Sequence, residues 1–331
     1  MKVSVLMPCY NAEKFIRRSI ESVLSQSCPE FEFIIVDDGS IDNTAAIIAG
    51  YQDSRIRLLR LESNSGIVTA LNVGLEACRG PYIARMDADD ICLEGRLEQQ
   101  CDYLDRHADV VAVGSAVVNF NEAGHLVEIG YPTDHFNILL HLLLFERTLC
   151  HPSVMFRSNA VEAGVRYQEQ RSLCEDYDLW FQLSKIGRLA NIERPLLKYF
   201  RGGSQSSVQH RTLMLQQTRA LLCDIWQQYE IDNIDLIVDY LMAQRDMSRQ
   251  QREAARSAIM RSLSRLPHFT AVQLNEVLAL KELRFSHRYK SGIARLIALM
   301  NYLWSIREGW YRKLIFLWKV RHIARLGPDA L

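Results

Sequence analysis

Three aspartates fall within four positions of "IARMDADDI", at Asp87, Asp89 and Asp90. Carboxylates this close repel one another and are costly to bury unpaired, so either a cation or open water sits among them. Two further acidic groups stand out: Asp37 and Asp38 in "VDDGS", and Glu175, Asp176 and Asp178 in "CEDYDLW". A D-x-D on a loop after a strand suits a hard divalent ion such as Mg²⁺, which takes oxygen ligands, few of them from protein and the rest from water and substrate phosphates. Such an ion offsets the carboxylate repulsion and neutralises a diphosphate leaving group. For Asp87 and Asp89 the metal reading is preferred, because a helix cap needs one aspartate and not three. Asp90, directly before "ICLEGRLEQQ", reads equally as an N-cap.

Other chemistries lack their signatures. There is no G-x-G-x-x-G after the first strand, no phosphate-cradling G-x-x-x-x-G-K-[ST] and no G-x-S-x-G elbow. The eight cysteines contain no C-x-x-C pair, which argues against zinc and for reduced thiols. Charge excludes a polyanionic partner on balance: 39 basic residues meet 39 acidic ones, so no nucleic-acid partner is expected. With 48% hydrophobic and 24% charged residues, the 331-residue chain is an ordinary globular one. "VSVLM" is too short for a secretory leader, and no stretch reaches the roughly 18–20 uncharged apolar residues of a spanning helix. A cytoplasmic protein is the expectation.

The elements that must position these acids alternate. Strands are predicted at "KVSVLM", "FEFIIVDD", "RIRLLRL", "PYIARM" and "DVVAVGS". Helical spacing falls between them: Ile16, Ile20, Val23 and Leu24 in the first helix, Val68, Leu71 and Leu75 in the third, and "LEGRLEQQCDYLDRH" after the aspartates. This is the pattern of an α/β fold, a mostly parallel sheet with helices on both faces. Ligands bind beyond the carboxyl ends of such strands, which brings "PCYN", "DDGS" and "DADD" to one rim. In the middle of the chain, "FNILLHLLLFERT" and "EDYDLWFQLSKIG" read as helices, "SVMFR" and "LLKYF" as short strands, and "RGGSQSS" as a loop. Beyond about residue 208 the chain turns helical. We therefore expect a first domain over 1–207 and a helical C-terminal region over 208–331.

Six stretches in register, "VSVLMPCYN", "FEFIIVDDGSIDNT", "NSGIVTALNVGLEACRGPYIARMDADD", "RLEQQCDYLDRH", "HPSVMFR" and "EDYDLWFQLSKIG", resemble the blocks of the inverting family 2 glycosyltransferases. The resemblance covers the first three-fifths of the chain and implies the GT-A fold, a nucleotide-diphosphosugar-binding sheet. It also implies roles. Pro8 and Tyr10 would lie under the nucleotide base and Asp38 would accept a hydrogen bond from it, most often from uracil. Asp87 would face the ribose and Asp89 would hold Mn²⁺ or Mg²⁺ between the phosphates. Asp176 would be the general base that deprotonates the acceptor hydroxyl, with Glu175 beside it. Asp178 is the rival base, but residues two apart on a helix point in different directions, so only one of the two can aim inward. Arg201 matches a loop that folds over the donor phosphates; Gly202 stands where many relatives carry histidine.

Neighbouring residues have plainer readings beside these. His151 either serves the site or bonds locally. Arg85 either meets phosphate or pairs with the aspartates, and the pairing is preferred. Asn64, Gly66 and Asn72 shape the chain, Trp180 and Phe181 belong to the core, and Cys9 and Cys174 are buried thiols.

From Lys281 onward eleven Lys/Arg face three Asp/Glu, a surplus of eight. Leu299, Leu303, Ile306, Trp310, Leu314 and Leu317 recur at helical steps. This tail reads as an interfacial helix on anionic lipid, at the inner face of the cytoplasmic membrane, or as a helix packing on its own domain or a second subunit. The functional expectation is a metal-dependent inverting glycosyltransferase. It would move a sugar from a nucleotide-diphosphate donor, a UDP-sugar by preference, to a glycan or lipid-linked acceptor in cell-surface polysaccharide synthesis. The alternatives are an inactive sugar-nucleotide-binding assembly subunit and a D-x-D phosphohydrolase. The second suffers because "DADDI" follows the fourth strand and not the first.

Overall fold

A computed structural model describes residues 2–28, 30–202, 211–229, 233–242 and 247–288. The basic tail helix and the expected boundary at 207/208 lie outside the described residues. Strands β1 (Val3–Cys9) and β2 (Phe31–Asp37) are buried at every position, which is what mainly apolar strands require when both faces are covered. Between them α1 (Ile16–Leu24) buries Ile16, Ile20 and Val23, worth roughly 1.5–3 kcal/mol per side chain. After β2 come α2 (Thr44–Ala49), β3 (Ile56–Arg60), α3 (Ile67–Ala77), which buries Val68, Leu71 and Leu75, and β4 (Tyr82–Arg85). Strands β1, β2, β3 and β4 pair in parallel, in the order β3-β2-β1-β4.

The second half is mixed. It contains β5 (Ile91–Cys92), α4 (Arg96–Arg106), β6 (Val110–Phe120), β7 (Leu126–Ile129), α5 (His135–Leu143), β8 (Met155–Arg157), α6 (Asn159–Glu162), α7 (Glu175–Ser184) and β9 (Arg188–Phe200). The sheet continues β4-β8-β6-β9-β5, with β7 paired to β6. Strand β8 runs antiparallel to both β4 and β6, and β6 pairs in parallel with β9. The expected short strand at 196–200 is the end of a thirteen-residue β9, which follows β6 through three register shifts. Such bulges bend a strand and increase its twist, so the sheet curls.

The helices α8 (Arg211–Trp226), α9 (Ile234–Leu241), α10 (Arg249–Leu263) and α11 (Ala271–Arg288) follow. By its contacts the chain forms two compact units, Met1–Ile225 and Trp226–Leu331. Among the described residues no helix is long and apolar enough to cross a membrane.

Candidate active site

The rim begins with two loops laced together. After β1, the Asn11 N–H donates to Ser40 Oγ (2.9 Å), the Ala12 N–H to Thr44 Oγ1 (2.7 Å) and the Glu13 N–H to Asp42 Oδ2 (3.1 Å). After β2, the Ile41 N–H returns a bond to Asn11 Oδ1 (3.0 Å), and Asp42 Oδ1 accepts from both the N–H and the hydroxyl of Thr44. Asn11 takes φ = 48°, in the left-handed region where asparagine is tolerated best among non-glycine residues. This lacing presents Pro8, buried at the end of β1, and leaves Tyr10 45% exposed over the rim. No role was assigned to Asn11, Asp42 or Thr44 from sequence, although "YN" and "IDNT" carry the turn-forming types that signal it.

Asp38 is buried, and its two oxygens accept from the Ser65 N–H (2.7 Å) and the Gly66 N–H (2.9 Å) at the start of α3. Gly39 makes this approach possible: at φ = 68°, a Cβ there would lie 2.4 Å from the Ser63 carbonyl carbon. Each carboxylate oxygen keeps a lone pair for a further donor. Gly66 and Asn72 shape the chain as expected, since Asn72 clips Tyr167 with Nδ2 to its carbonyl (2.9 Å) and Oδ1 from its N–H (3.1 Å).

The three aspartates after β4 come together, with one carboxylate oxygen from each of Asp87, Asp89 and Asp90 within 4.8 Å of the others. Asp90 does not cap the next helix. That helix starts at Arg96 with Gly95 as its N-cap, because the intervening Ile91–Cys92 is drawn into pairing with β9. Asp90 is instead fully buried, and its Oδ1 accepts from the Phe200 N–H at 2.8 Å. Its Oδ2 is buried without a hydrogen-bond partner. Burial, then the charges of Asp87 and Asp89, push the Asp90 carboxyl well up. Burial and Asp87 raise Asp89 to about 6. A buried orphan oxygen on Asp90, a raised pKa at both Asp89 and Asp90, and an all-oxygen donor set fit a hard divalent ion.

Arg85 stands behind the cluster, buried, with Nη2 2.6 Å from Asp87 Oδ1. Burial opposes its charge, but Asp87, helped by Tyr167 and Asp90, outweighs burial and raises its pKa. The Arg85 charge also acts on Glu175 and Asp176 at the start of α7, favouring their ionised forms, while the Asp87 charge opposes it. Burial and the Asp176 charge push Glu175 up to about 8. Burial also raises Asp176, against the Tyr177 N–H (2.7 Å) and Arg85, which favour its ionised form. Asp178 faces elsewhere. Its Oδ2 accepts from Gln182 Nε2 (2.6 Å), and its charged neighbours are Arg171, Asp224 and Lys185.

His151 bonds Tyr167 Oη through Nε2 at 2.9 Å and meets Trp180 edge-on. Burial, and then Arg85, drive its pKa well down, so it stays neutral. Trp180 and Phe181 are core residues, and Cys9 and Cys174 are buried thiols with raised pKa, Cys174 at about 12. Arg201 is exposed at the rim. Its N–H donates to the Phe120 carbonyl (2.8 Å), and its guanidinium lies 5.0 Å from the Tyr199 ring centre. Beside it, Asn11, Lys14, Phe15, Asp42, Asn121 and Phe200 help line a cleft of about 480 Å³.

Residues 4–164 match the family described as glycosyl transferase family 2. An uncharacterised glycosyltransferase of Haemophilus influenzae is 33% identical over 217 residues, 62% of this chain and 67% of that one. The amylovoran biosynthesis glycosyltransferase AmsE of Erwinia amylovora is 34% identical over 206 residues, 61% of this chain and 76% of its own. The chain belongs to glycosyltransferase family 2. The fold agrees: a crystal structure of S. aureus TarS 1–349 in complex with UDP-GlcNAc superposes with a TM-score of 0.59 at 19% identity, covering 91% of this glycosyltransferase and 89% of that TarS 1–349 chain.

Proposed function

We propose that this glycosyltransferase takes a nucleotide-diphosphate sugar, with UDP as the preferred nucleotide, and transfers the sugar with inversion to a hydroxyl of a glycan or lipid-linked acceptor. The observation that carries the reading is the buried cation between two acidic groups from different elements: Arg85 pairs with Asp87 after β4, and its charge also acts on the carboxyls of the pair opening α7. One group suits a leaving diphosphate and the other suits an acceptor proton.

In this reading Tyr10 and Pro8 support the base, the free lone pairs of Asp38 accept from it, and Asp87 faces the ribose. Asp89, with Asp90, would hold Mn²⁺ or Mg²⁺; when bound, the ion neutralises charge on the departing diphosphate. Arg201 adds charge at the rim for the phosphates. Asp176 takes the proton of the acceptor hydroxyl as its oxygen bonds to the anomeric carbon and the sugar–phosphate bond breaks, its electron pair leaving with the diphosphate. Of the α7 pair, Asp176 accepts from the Tyr177 N–H at 2.7 Å, while Glu175, at about 8, carries the proton at neutral pH. The name of AmsE supports polysaccharide synthesis as the process. We place the catalytic domain on the sheet, over 1–207, with the basic C-terminal region available to a membrane surface or a second subunit. A cytoplasmic location, peripheral on the inner membrane face, suits such a tail.

A panel of nucleotide sugars, followed by nucleotide release with Mn²⁺, tests the reading. Release from a UDP-sugar that Asp176→Asn abolishes supports it, and an inert panel or an active Asp176→Asn contradicts it.

A further inference from the structure

Helix α8 follows the last strand and lies past the matched family segment, yet it grips the loop that delivers the acid pair. Gln217 uses both ends of its amide: Oε1 accepts from the Leu173 N–H at 2.9 Å, and Nε2 donates to Ser172 Oγ at 3.2 Å. Arg171 Nη1 donates to the Gln217 carbonyl at 3.0 Å, and its Nη2 pairs with Asp224. Seven residues separate Gln217 from Asp224, so two helical turns put them on one face. Thr218, Leu221, Leu222 and Ile225 of the same helix are buried, which anchors it.

The same loop is held at its other end by α3. Asn72 clips the Tyr167 backbone, and Thr69 Oγ1 donates to Glu169 Oε1 at 2.9 Å. Residues 167–174 are thus strung between two helices, and α7 begins at the next residue. Cys174, its N-cap residue, makes no side-chain cap bond. The entry of α7 is therefore set by the loop before it and not by a cap of its own.

We propose that Gln217 and Asp224 are positioning residues for Glu175 and Asp176: α8 fixes loop 171–174 and, through it, the placement of the first turn of α7. This rests on the reading of that pair as the proton-accepting end of the site. Sub-ångström placement is what in-line chemistry needs, and a shift of about 1 Å costs on the order of 100-fold in rate. The donor residues on β1, β2 and β4 have their own supports, so loosening the clamp spares donor binding.

The test compares full-length wild type with Gln217→Ala, Gln217→Glu, Asp224→Ala and Asp176→Asn. Two quantities are read: kcat for nucleotide release from the best donor of the panel, and UDP affinity with Mn²⁺ by calorimetry. Gln217→Ala should lower kcat about 10- to 100-fold with UDP affinity unchanged, and Asp224→Ala should act in the same direction. Gln217→Glu retains an acceptor for the Leu173 N–H and should recover most of the rate. Wild-type kcat in Gln217→Ala overturns the proposal. So does an equal loss of kcat, UDP affinity and Tm in the Ala and Glu variants, which would make α8 a support of the fold alone. A fully active Asp176→Asn sinks the underlying reading of the acid pair, whatever Gln217 does.

Discussion

Arg85 and Asp87 form a 2.6 Å ion pair at the carboxyl end of β4, with the guanidinium side chain 4% exposed and the carboxylate 27%. The other two guanidinium nitrogens, Nε and Nη1, are buried without a hydrogen-bond partner. The cation is thus held more by the surrounding carboxylates than by directed bonds. Arg85→Met should lower stability by about 3–5 kcal/mol at neutral pH, since it leaves buried carboxylates without their countercharge. The loss should shrink at pH 5, where Asp89, raised to about 6, takes up its proton, and thermal unfolding of both proteins at the two pH values checks this.

Glu175 supplies a pH dependence with a definite sign. Its folded pKa, about 8, lies above the ordinary 4.5, so between those values the folded chain holds a proton that the unfolded chain has released. Stability from this group is fully present below pH 4.5 and is lost as pH rises toward 8. Glu175→Gln should therefore be more stable than wild type at pH 8, by on the order of 4 kcal/mol, and nearly equal to it at pH 4.5. Denaturant titrations without added metal measure it.

The parts of this site that sequence makes legible are those built by local pattern. Mainly apolar runs at 3–9 and 31–37 mark buried parallel strands, and the rule of binding at their carboxyl ends brings Tyr10, Asp38 and Asp87 to one rim. Opposite directions for Asp176 and Asp178 follow from helical geometry alone. Asp90 is different: its partner, the Phe200 N–H, is 110 residues away, so a buried acceptor looked like a helix cap. The length of β9 was hidden because its bulges break the period-2 alternation. The α8 clamp was hidden because Gln217 finds Leu173 44 residues back, and an isolated glutamine in a helix announces nothing.

Arg18 ties the aspartate loop to the end of β9. Its Nη2 donates to the Asp89 carbonyl at 2.9 Å, while the guanidinium carbon sits 4.8, 5.0 and 5.1 Å from the ring centres of Phe15, Phe120 and Phe200. Arg18→Met keeps most of the packing and removes the bond and the charge. It should weaken Mn²⁺ affinity several-fold, with a Tm change of only a few degrees, and Mn²⁺ titration by electron paramagnetic resonance beside a thermal melt measures both.

Asp90→Ala should cost stability as well as metal affinity, since it strands the Phe200 N–H in a buried site. About 1–3 kcal/mol is expected from the stranded donor. Asp90→Asn retains an acceptor for that N–H, so it should keep most of the stability while losing metal affinity. Melts and Mn²⁺ titrations of the two variants separate these roles.

The most direct test of the site as a whole is calorimetry of UDP binding to the full-length protein in Mn²⁺ and in EDTA, repeated with Asp89→Ala. Binding that is present with Mn²⁺, absent in EDTA and absent in Asp89→Ala is the predicted result. Equal UDP affinity in Mn²⁺ and EDTA, or full affinity in Asp89→Ala, would contradict the aspartate cluster as the metal and diphosphate end of the site.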